Sequence, residues 1–224
     1  MTCYGWEMER EQNIGGVKVR LPEGYTTESS RRYPLLLVLG DIGLDSAAEW
    51  TDSLHAEGVI PGIIAAKSPM TICEVSDPKA ILATLAGRYR LLEAPAGRWI
   101  CGTGHDGITA LRAVLDHPDL FGRAACLSAS FEGTEGAPPL HSPMLRELEG
   151  RSSLPEKTRI HFDYGTMGLD ECYEPYHRDL ASILRGKGWQ DEREFRIVRA
   201  QGGSHDSASW QNRLGSSLRW LAGR

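Results

Sequence analysis

A repeated change of hydrophobic period limits this chain's fold more than any other feature. "YPLLLVLG" (33–40) is apolar almost throughout, as a strand buried on both faces of a parallel sheet must be. "SAAEWTDSLHAEG" follows and reads as a helix closed by Gly58. The exchange then recurs along the chain. "VIPGIIAA" reads as a strand, and "KAILATLAGRYRLLE" as a helix with Asp77 as its cap and Pro78 at its first position. Next come a strand "RWICG", a helix "GITALRAVLDH", a strand "RAACLSAS" and a loop "FEGTEGAPPLHSP". The last third gives a strand "RIHFDYG", a helix from about Glu171 to Gly186, a strand "REFRIVRA" and a final helix "SASWQNRLGSSLRWL". "GGVKVRLP" near the start reads as an antiparallel addition. Such alternation predicts an α/β fold, a mostly parallel central sheet with helices on both faces. With no internal repeat or linker, residues 1–224 are expected to form one domain.

Charge and cysteine usage remove several function classes. The net charge is −5 and the arginines are scattered among acidic residues, so no basic stripe exists for nucleic acid. The five cysteines (Cys3, Cys73, Cys101, Cys126 and Cys172) are an odd set without C-x-x-C spacing, which argues against a zinc site or a disulfide framework. "MTCYGWEMEREQ" has no apolar signal core, and no segment is long enough to cross a membrane. The expectation is a cytoplasmic protein with a small-molecule substrate or ligand, no cofactor, and an oligomeric state the sequence leaves open.

The segment "ICGTGHDGITAL" (100–111) is where chemistry would sit. An apolar strand runs through glycines into a helix, the setting of a nucleophile elbow with the pattern G-x-S-x-G. The pattern begins correctly at Gly102, but the serine position holds Gly104 and the final small position holds Asp106. Thr103 precedes the apex, where side chains turn toward the sheet. Cys101 and Cys126 fall within strands, where a small buried cysteine is packing. Gly104-His105-Asp106-Gly107 contains the letters of a G-H-D-x-G motif, in which aspartate is the nucleophile, at a spacing two residues off.

On these residues the chain resembles the putative-esterase (enterochelin-esterase-like) family of the α/β-hydrolase fold, from about Val17 to the C-terminus. "VKVRLPEGYTTESSRRYPLLLVL" resembles the family's opening, "HPDLFGRAACLSASF" its segment after the elbow helix, "HFDYGT" the strand before the acidic triad member, and "GGSHDSASW" the histidine loop. Counted back from His117-Pro118 by that family's spacing, the resemblance implies that residue 104 is the nucleophile position.

The resemblance implies a set of roles. His205 is the base, oriented by Asp170 or Glu171. His105 follows the apex, so its backbone N–H is an oxyanion donor, or else it is a surface histidine at a helix start. Gly40-Asp41 occupies the place of the second oxyanion element, and Asp41 alternatively holds a turn. Trp210 is retained after the histidine, and together with Gly104, His105, Gly40 and Asp41 it is expected to line the substrate site. Asp106 is either a catalytic carboxylate or a helix N-terminal charge stabilised by the dipole, and Asp206 is a cap. Asp41, His105, Asp106 and His205 lack any metal-ligand spacing, and no metal is expected. Glycine accepts elbow angles freely, so the turn is expected to relax and admit Asp106. Two functions follow. One is an esterase-like enzyme using His205 in acid–base catalysis without a covalent serine intermediate, hydrolytic or lyase- or cyclase-like. The other is a non-catalytic binding protein on an esterase scaffold.

Overall fold

The computed structural model describes residues 10–67, 78–132 and 142–223. Eight strands form one sheet: β1 (Glu11–Ile14), β2 (Val17–Arg20), β3 (Leu35–Val38), β4 (Ile64–Lys67), β5 (Arg98–Thr103), β6 (Arg123–Leu127), β7 (Arg159–Gly165) and β8 (Phe195–Ala200). Their spatial order is β1-β2-β4-β3-β5-β6-β7-β8. The β1–β2 and β2–β4 pairs are antiparallel, and every later neighbour is parallel.

Among the described residues six α-helices cover the sheet: α1 (Leu44–Ala56), α2 (Pro78–Ala86), α3 (Gly104–Asp116), α4 (Pro143–Gly150), α5 (Glu174–Gly186) and α6 (Ser207–Ala222). Side chains alternate across each strand, so the apolar runs feed two cores. Leu35, Leu37, Ile100 and Cys126 pack with residues of α2 to α5, among them Leu82, Leu111, Leu145 and Leu180. Leu36, Val38, Cys101 and Leu127 pack on the other face with Ala47 and Leu54 of α1 and Trp210, Leu214 and Leu218 of α6.

Two elements appear where none was read, and two local expectations change. The polar segment Glu11–Ile14 forms a strand, joined to β2 by the Gly15-Gly16 turn. Helix α2 stops at Ala86 rather than running to Glu93. Gly87 ends it, and Leu91 bridges Tyr33 while the Arg90 guanidinium donates to the Arg31 carbonyl. Helix α4 begins at Pro143, the last residue of the expected loop, in a stretch for which no element was read, and the Ser142 hydroxyl caps it by accepting from the Leu145 N–H. A 3₁₀ turn at Gly168–Cys172 precedes α5, which begins at Glu174 rather than Glu171. The proposed Asp77 cap lies outside the described residues.

Strand β3 lies between β4 and β5, so successive crossovers leave it in opposite directions. Open α/β sheets bind ligands outside the carboxyl ends of strands at such a switch point. Gly40, Gly104, Asp170 and His205 all follow the carboxyl ends of strands β3, β5, β7 and β8.

Candidate active site

Strand β5 passes directly into α3 at Gly104, whose φ is +53°. That angle is one glycine adopts freely and other L-residues resist. A methyl group on Gly102 would lie 2.1 Å from the Asp106 carbonyl oxygen, so this turn is as tight as an elbow requires. The expected relaxation has therefore not occurred. Asp106 fits for a different reason, because its side chain turns toward the loop after β3. There Gly40 has φ +71°, and an added Cβ would stand 2.9 Å from Asp106 Oδ2 and 2.7 Å from Thr103 Oγ1. Gly40 and Asp106 are thus a matched pair that single-residue reasoning at the elbow missed.

His205 comes to the apex from the loop between β8 and α6. A β-carbon on Gly104 would be 3.5 Å from its Nε2. Its other ring nitrogen, Nδ1, is 2.7 Å from Asp170 Oδ1. A carboxylate accepts, so Nδ1 carries the hydrogen and Nε2 is left as the basic nitrogen. Asp170 is fully buried while the imidazole keeps about a fifth of its surface exposed (21%). Burial opposes charge on Asp170, but hydrogen bonds from His205, Ser128 Oγ and the Gly165 N–H outweigh it and hold the carboxyl below its ordinary value. Glu171, the alternative partner, is exposed and accepts from the Gly168 N–H at 3.1 Å.

Behind this pair lies a polar network that the sequence did not signal. Ser128 has φ +44° and is fully buried. Its hydroxyl donates to Asp170 Oδ2 (2.6 Å) and accepts from Trp210 Nε1 (3.0 Å) and an Arg213 amino group (2.8 Å). Arg213 also forms ion pairs with Asp163 (3.4 Å) and Asp170 (3.6 Å). One guanidinium therefore serves two buried carboxyls. Burial pushes Asp163 up to about 7 despite that cation. Trp210 packs its ring edge-to-face on His205 at 4.9 Å and is buried. It touches the imidazole and Ser128 rather than open space.

The remaining candidates sit at the rim. His105 is exposed at the start of α3, and Asp41 is exposed after β3. The Asp41 carbonyl accepts from Ser207 Oγ (2.8 Å), and Lys67 Nζ holds the same loop through the Gly40 (2.8 Å) and Ile42 (2.7 Å) carbonyls. Asp206 caps α6 by accepting from the Ser209 N–H. Among the described residues no three His, Cys, Asp or Glu side chains gather as metal ligands, and no helix is long and apolar enough to cross a membrane. The histidine loop is pressed onto the end of β7. The Gly203 carbonyl accepts from the Thr166 and Met167 N–H groups at 2.9 and 3.0 Å. A Cβ on Gly165 would stand 2.1 Å from that oxygen.

A mostly parallel eight-stranded sheet, an elbow after a central strand and a histidine–aspartate pair at its apex define the α/β-hydrolase fold. Solved esterases share it. A ferulic acid esterase superposes with a TM-score of 0.71 at 16% identity, covering 92% of this chain and 91% of its own. The ferric enterobactin esterase of Salmonella typhimurium gives 0.67 at 18% identity over 92% of this chain, which spans 53% of that longer protein. An S-formylglutathione hydrolase of Staphylococcus aureus gives 0.63 at 15%, with 95% and 94% covered. By sequence, no curated protein matches. The sequence profile of the family described as "Putative esterase" matches residues 78–221, and this chain belongs to that family.

Proposed function

We propose that this protein hydrolyses an ester or thioester of a small molecule without forming a covalent acyl-enzyme, with His205 as general base and Asp170 fixing its tautomer. The observation that carries this reading is the 2.7 Å Nδ1–Asp170 hydrogen bond beside an Nε2 that stands 3.5 Å from where a residue-104 β-carbon would be. Base and orienting carboxylate are in order, while the nucleophile position has no side chain. A base so placed can take a proton from water as it attacks a carbonyl. Ester and thioester are the class favoured by family membership. Asp41, exposed at the rim, adds negative charge there and favours substrates that are neutral or cationic near the reacting carbonyl.

A second reading, a binding protein without turnover, draws on one observation. The Asp106 carboxyl lies against Gly40, in the region where the family assembles its oxyanion donors, and a carboxylate there opposes a developing oxyanion. Kinetics separate the two. Against p-nitrophenyl and thioester acyl panels, the hydrolase reading expects saturable turnover that disappears in His205→Ala. Saturable binding with no turnover in either protein establishes the binding reading instead.

A further inference from the structure

Two polar side chains, not one, face the point where a serine would stand. The same β-carbon position at Gly104 that lies 3.5 Å from His205 Nε2 lies 3.6 Å from Ser130 Oγ. Ser130 is tied to the apex, since its backbone N–H donates to the Gly104 carbonyl at 3.0 Å. Its hydroxyl shares a 3.3 Å hydrogen bond with the Tyr173 hydroxyl, which donates to Glu132 Oε1 at 3.0 Å. Ser130 and Tyr173 are both buried, and the Tyr173 ring meets His205 edge-on at 5.7 Å.

The direction of this chain is fixed by counting hydrogens. A carboxylate can only accept, so the single Tyr173 hydroxyl hydrogen goes to Glu132. Burial holds that phenol well above its usual range, and it keeps the hydrogen. Tyr173 then has only lone pairs for Ser130, and Ser130 must donate to it. The Ser130 oxygen is left facing Gly104 as an acceptor. From the other side His205 Nε2 is also an acceptor, because Nδ1–H is spent on Asp170. A species held between them must donate twice. Water has two hydrogens to give, whereas an alcohol has one.

Resting on the hydrolase reading above, the geometry points to Ser130, Tyr173 and Glu132 as a positioning relay that holds the attacking water in place of the serine. The relay excludes alcohols as acyl acceptors. One water hydrogen is held by Ser130 and the other passes to Nε2 as the water oxygen bonds to the carbonyl carbon. The tetrahedral intermediate collapses with cleavage of the bond to the leaving oxygen or sulfur, which takes the proton back from His205. The products are the acid and the alcohol or thiol. Nothing is oxidised or reduced, and no bond to the protein forms.

The experiment uses p-nitrophenyl acetate with methanol added, following p-nitrophenol release and methyl acetate formation. The parent is expected to yield acetate alone, above the buffer background. Ser130→Ala and Tyr173→Phe are expected to lose about 10- to 100-fold in kcat with KM little changed. Ser130→Ala should also form methyl acetate, because a single-donor nucleophile then fits. Ser130→Thr keeps the hydroxyl and should restore the parent partition. Turnover that requires His205 yet is identical in parent, Ser130→Ala and Tyr173→Phe overturns the relay and leaves the base assignment standing. Turnover that survives His205→Ala overturns both. If the parent does not cleave this ester, a high-resolution crystal structure decides. A water hydrogen-bonded to both Ser130 Oγ and His205 Nε2, lost in Ser130→Ala, supports the relay, and no such water overturns it.

Discussion

Gly104→Ser puts the geometric argument at risk in a single substitution. With φ at +53°, any residue with a β-carbon pays roughly 1–2 kcal/mol for the left-handed conformation. The unfolded chain loses freedom on the same change, which returns about 0.4–1 kcal/mol. Contacts of 3.5 and 3.6 Å to His205 and Ser130 are ordinary van der Waals distances and add no steric cost. The net is about 1 kcal/mol of destabilisation, or a fall in Tm of roughly 2–4 °C for a domain of this size. The new hydroxyl, one bond beyond that β-carbon, comes within reach of Nε2, so a serine–histidine–aspartate arrangement is rebuilt. The expected result is weak hydrolysis of p-nitrophenyl acetate with a burst of p-nitrophenol and an acyl adduct on the introduced serine by mass spectrometry. Adding Asp106→Gly should raise the burst rate, because it removes a carboxylate that lies against Gly40. If neither variant acylates and neither differs from the parent in Tm, residue 104 is not at an elbow and the site assignment fails with it.

Other outcomes are equally specific. His205→Ala should abolish turnover while the fold is kept, at a lower Tm because buried Asp170 loses a hydrogen bond; retained turnover would remove the base. Asp170→Asn should cost about 10³- to 10⁴-fold in kcat, as a wrong tautomer does, whereas Glu171→Gln should match the parent; the reverse ranking would transfer the role to Glu171. Stability should rise with pH between about 4 and 6.5 in urea titrations. Burial pushes His161 down to about 3 and His177 to about 4. Their contribution is thus complete above the unfolded value of about 6.5 and is lost as pH falls through the folded values. Asp163, pushed up to about 7 by burial, works the other way, its contribution being present below about 4 and lost as pH rises through 7. Two histidines outweigh one aspartate, leaving a net slope of about one proton. Both His161 ring nitrogens are buried without a hydrogen-bond partner among the described residues. His161→Phe should therefore raise stability at pH 5 and flatten the slope; an unchanged slope refutes this.

The alternation of apolar runs and helical segments was enough to predict the sheet and its two helical layers, because strands buried on both faces leave so distinct a pattern. The elbow was equally legible, since Gly102 and the strand–helix junction are local. What escaped depends on long-range contact. Ser128 reads as an ordinary strand residue, yet it joins Asp170, Trp210 and Arg213 from three other parts of the chain. The choice between Asp170 and Glu171 could not be read from adjacent carboxylates, because the 3₁₀ turn at Gly168–Cys172 buries one and exposes the other. Trp210 was expected to meet substrate because it follows the histidine, but helix α6 turns its ring inward. The relaxed turn expected at Gly104 failed because the opposing Gly40, far away in the chain, supplies the room for Asp106.

The contact between Gly165 and Gly203 governs how this site would fail. The backbone carrying Asp170 and the backbone carrying His205 are in direct contact, with no side chain between them to act as a cushion. Local opening of the histidine loop must therefore break the Thr166 and Met167 hydrogen bonds just beyond β7, an interior strand of the sheet. Heat inactivation and global unfolding would then be one event with one midpoint. Hydrogen exchange at those two amides would follow the core strands, in contrast to the low protection typical of catalytic loops.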